Sequence, residues 1–189
     1  EPDNRYDITT WLVEEMRADA TGELGQELKE YYPWPGAWTG WYNLVKGGGI
    51  WDYKSDILKK VPEENIVLAD QWYSYDVPAN INYGYVGSAS GFAEEDLLFF
   101  AGAAQIQNNV VEPFVDTLLK TYSPLEAWEA IRRENVGTIE TYFDQPGDAA
   151  AIRVGIELYE KYGYNISEES LGEILEKYRD QLHLGTPQP

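Results

Sequence analysis

The stretch Asp7-Ile-Thr-Thr-Trp-Leu-Val-Glu-Glu-Met-Arg-Ala18 sets the fold class. Ile8, Trp11, Leu12 and Glu15 fall on one stripe at roughly 100° per residue, and Asp7 stands where an N-cap belongs, so the spacing predicts a helix over Ile8–Ala18. Working outward, a Gly-broken segment with Leu24 and Leu28 predicts a short helix ending near Tyr31. A loop rich in Pro, Trp and Gly covers Tyr31–Gly40. A short helix follows over Trp41–Val45, closed by Lys46-Gly-Gly-Gly49. Val67, Trp72, Tyr73, Tyr75, Val77 and Ile81 favour strand and Pro78 breaks them, so Ile66–Tyr85 reads as a small hairpin or irregular sheet. From Ser90 the pattern is helical again, over about Ala93–Asn108, Glu112–Thr121, Pro124–Asn135, Asp148–Tyr162 and Ser167–His183, with a frayed end at Leu184–Pro189. The expected fold is α+β and predominantly helical, one catalytic domain of 189 residues with a small β element in its first half, lysozyme-like in spirit.

Composition removes whole reaction classes. With no Cys there is no thiol nucleophile, and with one His, a Ser-His-Asp relay would have to use His183 in a polar, Pro-ended tail. Zinc sites built on several His or Cys ligands cannot be assembled. Proton transfer must then fall to Asp, Glu, Tyr or Lys. The net charge of −19 repels nucleic acid, because phosphate binding depends on Lys and Arg. It would also steer away an anionic cell wall, while a neutral glycan is indifferent to it; the acidity reads mainly as a solubility device. No apolar run approaches the roughly 18 residues of a membrane span. The chain shows no basic, apolar leader, which fits a removed signal peptide or none. The expectation is a secreted monomer acting without metal or cofactor.

Glu15 is the sharpest chemical signal. A carboxylate centred on an apolar helical face is desolvated, which raises its pKa and keeps a proton available for general-acid work. The bland alternative is a salt-bridged glutamate, paired with Arg17 or Lys54. Glycoside hydrolysis needs a second carboxylate, and Asp52, Asp70 and Asp76 are the candidates. Asp76 lies in Tyr73-Ser-Tyr-Asp-Val-Pro-Ala-Asn-Ile-Asn-Tyr-Gly-Tyr85, where acid, amide and aromatic groups interleave as they do in sugar sites. Asp52 lies in Trp51-Asp-Tyr-Lys54 beyond three glycines, and capping a turn or helix is the commoner fate of any single Asp. Trp34, Trp38, Trp41, Trp51 and Trp72 supply more aromatic surface than a core of this size needs, so part of it suits a groove wall. Asn165-Ile-Ser167 is a glycosylation sequon. Asp144-Gln-Pro-Gly-Asp148 reads as a turn before a helix rather than a metal loop.

Ile8-Thr-Thr-Trp-Leu-Val-Glu-Glu-Met-Arg17, Trp51-Asp-Tyr-Lys54, Tyr75-Asp76, Asn80-Ile-Asn-Tyr-Gly-Tyr-Val-Gly87, Ala101-Gly-Ala-Ala-Gln105 and Gly147-Asp-Ala-Ala-Ala-Ile-Arg-Val-Gly-Ile156 resemble the polymorphic toxin type 44 domain and the related secreted fungal muramidases of glycoside hydrolase family 184. The resemblance covers about Asp7 to Tyr162. It implies hydrolysis of the β-1,4 bond between N-acetylmuramic acid and N-acetylglucosamine in peptidoglycan. Tyr53 and Asn82 stand where histidine is frequent in relatives, which points to carboxylates as the catalysts here. Glu15 is the expected general acid, Asp76 its partner and Asp52 the reserve. Asn80, Tyr83, Tyr85, Trp51, Lys54 and Trp72 are the expected substrate contacts. The rival readings are a ribonuclease toxin and a non-catalytic carbohydrate-binding module. A lytic transglycosylase is a variant of the first.

Overall fold

The computed structural model describes residues 5–32, 35–61, 64–110 and 146–186. Helix α1 (Thr9–Thr21) has Ile8 as its N-cap residue and not the expected Asp7, which stands one residue outside, where its carboxylate accepts from the Thr9 amide at 2.9 Å and the Thr9 hydroxyl at 2.5 Å. It ends at Gly22, and α2 (Glu23–Tyr31) follows at once. Helix α3 (Pro35–Val45) starts well before the expected Trp41, because a proline is well suited to a first helical turn where amides have no intrahelical partner. Helix α4 (Tyr53–Lys60) had no counterpart in the sequence reading.

Strands β1 (Asn65–Leu68) and β2 (Gln71–Ser74) form the expected hairpin, paired antiparallel with Leu68 opposite Gln71. Its two turn residues, Ala69 and Asp70, both have positive φ (47° and 64°), the left-handed pair that a two-residue hairpin turn requires. Asp70 is thereby a turn residue at an exposed tip. Both edges of the hairpin are covered. Val67 exchanges backbone bonds with Tyr6 and Ile8 on one side. On the other, the Ser74 amide donates to the His183 carbonyl and the Gly185 amide to the Trp72 carbonyl. Leu184–Thr186, expected as part of a frayed end, therefore runs beside β2.

The largest departure is α5 (Asp76–Ala89), a buried helix where an irregular sheet was expected. Pro78 sits in its first turn, where a missing amide costs nothing. The strand-favouring Tyr and Ile side chains are outweighed by a face of small residues. At Gly84 an added Cβ would lie 2.0 Å from the Ile152 carbonyl, and at Gly155 one would lie 2.0 Å from the Ile81 carbonyl. These two glycines let α5 cross α7 (Pro146–Tyr162) backbone against backbone. Helix α6 (Glu94–Val110) follows α5 as expected. Helix α8 (Glu168–Tyr178) starts on Ser167, whose hydroxyl accepts from the Ser170 amide in a reciprocal capping box, and a 3-10 turn over Arg179–Gln181 leads to the docked C-terminal segment. The helices expected over 112–121 and 124–135 lie outside the described residues. The result is α+β and predominantly helical, with α1, α5 and α7 at its centre.

Candidate active site: two acidic centres around one short motif

The motif Trp51-Asp-Tyr-Lys54 enters α4, and its side chains reach two separate groups of acids. The first is on α1. The Tyr53 hydroxyl donates to Asp19 Oδ2 at 2.5 Å and lies 3.4 Å from Glu15 Oε2. Asp19 and Glu15 are four residues apart, hence neighbours on one helical face. Burial pushes the Asp19 carboxyl up to about 6; hydrogen bonds from Tyr53 and the Trp51 indole pull the other way, and the nearby Glu15 charge adds to the rise. Burial, reinforced by the Asp19 and Glu15 charges, holds the Tyr53 phenol far above its usual range, so it stays a donor.

These groups open into a cleft of about 450 Å³, lined by Trp11, Glu15, Asp19, Ile50, Tyr53, Asp56, Lys59 and Lys60. Trp11 and Tyr53 form a tilted aromatic pair with centroids 5.7 Å apart, and the Lys60 ammonium stands 5.2 Å from the Trp11 ring centre. Ile50 is 70% exposed at the lip. The cleft therefore presents a proton-holding acid, two further carboxylates (Glu15 and Asp56), an aromatic wall and two lysines, Lys59 being paired with Asp56 at 2.8 Å.

Glu15 thus stands half-buried in a cleft shared with another acid, and the raised carboxyl is Asp19, one turn further along. Asp19 extends the stripe of Ile8, Trp11, Leu12 and Glu15 by one more step, so the signal for it was present in the same spacing. Tyr53→Phe removes a donor that favours the Asp19 anion. Its carboxyl is expected to titrate roughly half a unit to one unit higher in a ¹³C NMR titration; an unchanged or lower value would show that Tyr53 does not bond the carboxylate.

The second centre gathers at the starts of α5 and α7. Asp76 is the first residue of α5 and Asp148 the third of α7, and the Asn80 amide donates to Asp148 Oδ1 at 2.9 Å. His183 Nδ1 lies 3.6 Å from Asp76 Oδ2 and 3.8 Å from Asp148 Oδ1. Burial would raise the Asp76 carboxyl, but hydrogen bonding with Ser74 and Asp148 and the charge of Lys54 reverse this and hold it below the usual range. Asp76 therefore keeps company with Asp148 and His183, whereas the partners of Glu15 are Asp19 and Tyr53.

The remaining expected site residues are structural in the main. Asp52 is the N-cap residue of α4, and its carboxylate accepts from the Gly48 amide at 2.9 Å, closing the glycine loop. Tyr85 is fully buried and donates to the Gly163 carbonyl, so it packs in the core rather than lining a groove. Trp51 is buried against Trp41 while its indole serves Asp19. Tyr83 donates to the Leu97 carbonyl and packs on Trp41. Half-buried Trp72 packs on Tyr6. Lys54 is exposed, and Asn80 orients Asp148.

Among the described residues no helix is long and apolar enough to cross a membrane. No curated protein and no solved structure matches the chain. A family model described as bacterial toxin 44 matches residues 40–161, a span that holds the Trp51–Lys54 motif, all of α5 and nearly all of α7. That span is well over half of the sequence, and the chain belongs to the bacterial toxin 44 family.

Proposed function

We propose that this toxin domain is a secreted muramidase that hydrolyses the β-1,4 bond between N-acetylmuramic acid and N-acetylglucosamine in bacterial peptidoglycan. One observation carries the reading: Asp19 and Glu15 stand one helical turn apart in an open cleft with an aromatic wall, where burial pushes the Asp19 carboxyl up to about 6. A glycosidic oxygen leaves readily only when it is protonated, and a carboxyl of ordinary pKa has almost no proton to give near neutrality. Asp19 donates that proton, and Glu15 attacks the anomeric carbon from the other side.

Both carboxyls reach the same Tyr53 hydroxyl, so they stand no further apart than the two contacts of 2.5 and 3.4 Å laid end to end. That bound is compatible with the roughly 5–5.5 Å of a retaining enzyme, in which the deprotonated Asp19 takes a proton from water as it attacks the glycosyl-enzyme. Trp11 offers a face for a sugar ring, and Lys60 sets a cation beside that ring, whereas Lys59 is held by Asp56 at 2.8 Å. A ribonuclease reading has less support on two counts. No histidine lines the cleft, and the overall charge repels a polyphosphate.

Digestion of purified sacculi, with mass spectrometry of the released muropeptides, tests the reading. The wild-type protein is expected to leave reducing muramic acid ends, and Glu15→Gln to lower their rate of release by roughly 10²-fold or more while glycan binding persists. Anhydro-muramic products would instead identify a lytic transglycosylase. No released muropeptide, or an unaltered rate in Glu15→Gln, would overturn the assignment.

A further inference from the structure

The second acidic centre is built from three distant parts of the chain. Asp76 comes from α5, Asp148 from α7, and His183 from the segment that follows α8. One ligand atom from each lies within 4.8 Å of the other two. The His183 distances of 3.6 and 3.8 Å are too long for hydrogen bonds. They are close to the separation of neighbouring ligands around one ion, about 3.4 Å for a tetrahedral shell with bonds of about 2.1 Å.

Several features hold this geometry in place. A Cβ at Gly147 would lie 2.3 Å from the His183 ring, so the glycine is what admits the imidazole. Backbone bonds from Ser74 and Gly185 fix the His183 segment against β2. Asn80 donates to Asp148, as outer-shell partners of metal ligands do. Asp76 Oδ1 is buried without a hydrogen-bond partner, a costly state for a carboxylate oxygen unless a cation satisfies it. The His183 side chain is 34% exposed, which leaves an entry path from solvent.

We propose that Asp76, Asp148 and His183 bind a divalent transition-metal ion, zinc or manganese. One imidazole with two carboxylates and no thiolate suits these ions better than calcium or magnesium, which favour all-oxygen shells. The site stands apart from the Asp19 cleft and does not depend on the muramidase reading.

Protein stripped with EDTA and dialysed is titrated calorimetrically with zinc, manganese and calcium chlorides, with thermal melts alongside. Zinc or manganese is expected to bind one-to-one and to raise Tm by several degrees at saturation. His183→Ala, at a half-buried position outside the cleft, is expected to weaken binding at least about tenfold, and Asn80→Ala by about tenfold. Absence of one-to-one binding, equal affinity in His183→Ala, or a preference for calcium would overturn the proposal. Because the readout is binding, these outcomes are independent of whether sacculi are cleaved.

Discussion

Asp19→Asn is expected to abolish wall cleavage while making the protein more stable at neutral pH. A general acid contributes roughly 10²–10⁴-fold to a rate, and asparagine has no proton to give, so turnover should fall by that factor. The stability effect has the opposite sign. The folded-state carboxyl is raised from 3.8 to about 6, so folding favours its protonated form. That contribution is fully present below the unfolded value and is lost as pH rises through about 6. Above pH 6 the wild-type chain carries a half-buried anion beside Glu15, which asparagine avoids. Allowing for partial solvent screening, the gain is about 1–2 kcal/mol, or roughly 2–8 °C in Tm at pH 7.5, shrinking toward zero at pH 4. Melts at the two pH values check this; a variant less stable than wild type at pH 7.5 would contradict it.

Gly84→Ala is expected to cost about 3 kcal/mol or more, among the largest effects of any single methyl in the chain. The obstacle is the Ile152 carbonyl, 2.0 Å from where the Cβ would stand, and backbone in the middle of α7 cannot swing aside as a side chain can. The two helices would have to separate, loosening the contact that sets the starts of α5 and α7 and with them Asp76 and Asp148. Gly47→Ala provides the control, since nothing lies within 4 Å of its Cβ position and its φ is not in the left-handed range. A change within about 0.5 kcal/mol is expected there. Urea unfolding of both variants measures the contrast. Equal midpoints would mean that α5 and α7 do not approach as closely as described.

The parts of the fold legible in the sequence are those set by neighbours along the chain. Helix α1 announced itself through one apolar stripe and Asp7, and the hairpin through two short β-favouring runs. Helix α5 did not, because Tyr83, Tyr85 and Ile81 favour strand locally and become helical only by burying a glycine face against α7, far along the sequence. The site divides in the same way. Glu15 stood out on its helix and Asp19 lay on the same stripe, but Tyr53 drew notice only as a replacement for histidine, and what raises the Asp19 pKa is burial contributed in part by α4. In the sequence Asp148 is a turn residue and His183 part of a polar tail. They meet Asp76 only because the C-terminal segment docks on β2, a contact with no local signature.

The mechanism turns on one proton. ¹³C NMR of aspartate-labelled protein, titrated from pH 3 to 8, should show one carboxyl with a midpoint near 6 that disappears in Asp19→Asn. If every aspartate instead titrates below about 5, or the high midpoint survives that substitution, α1 supplies no proton to a departing sugar and the cleft is not the catalytic centre.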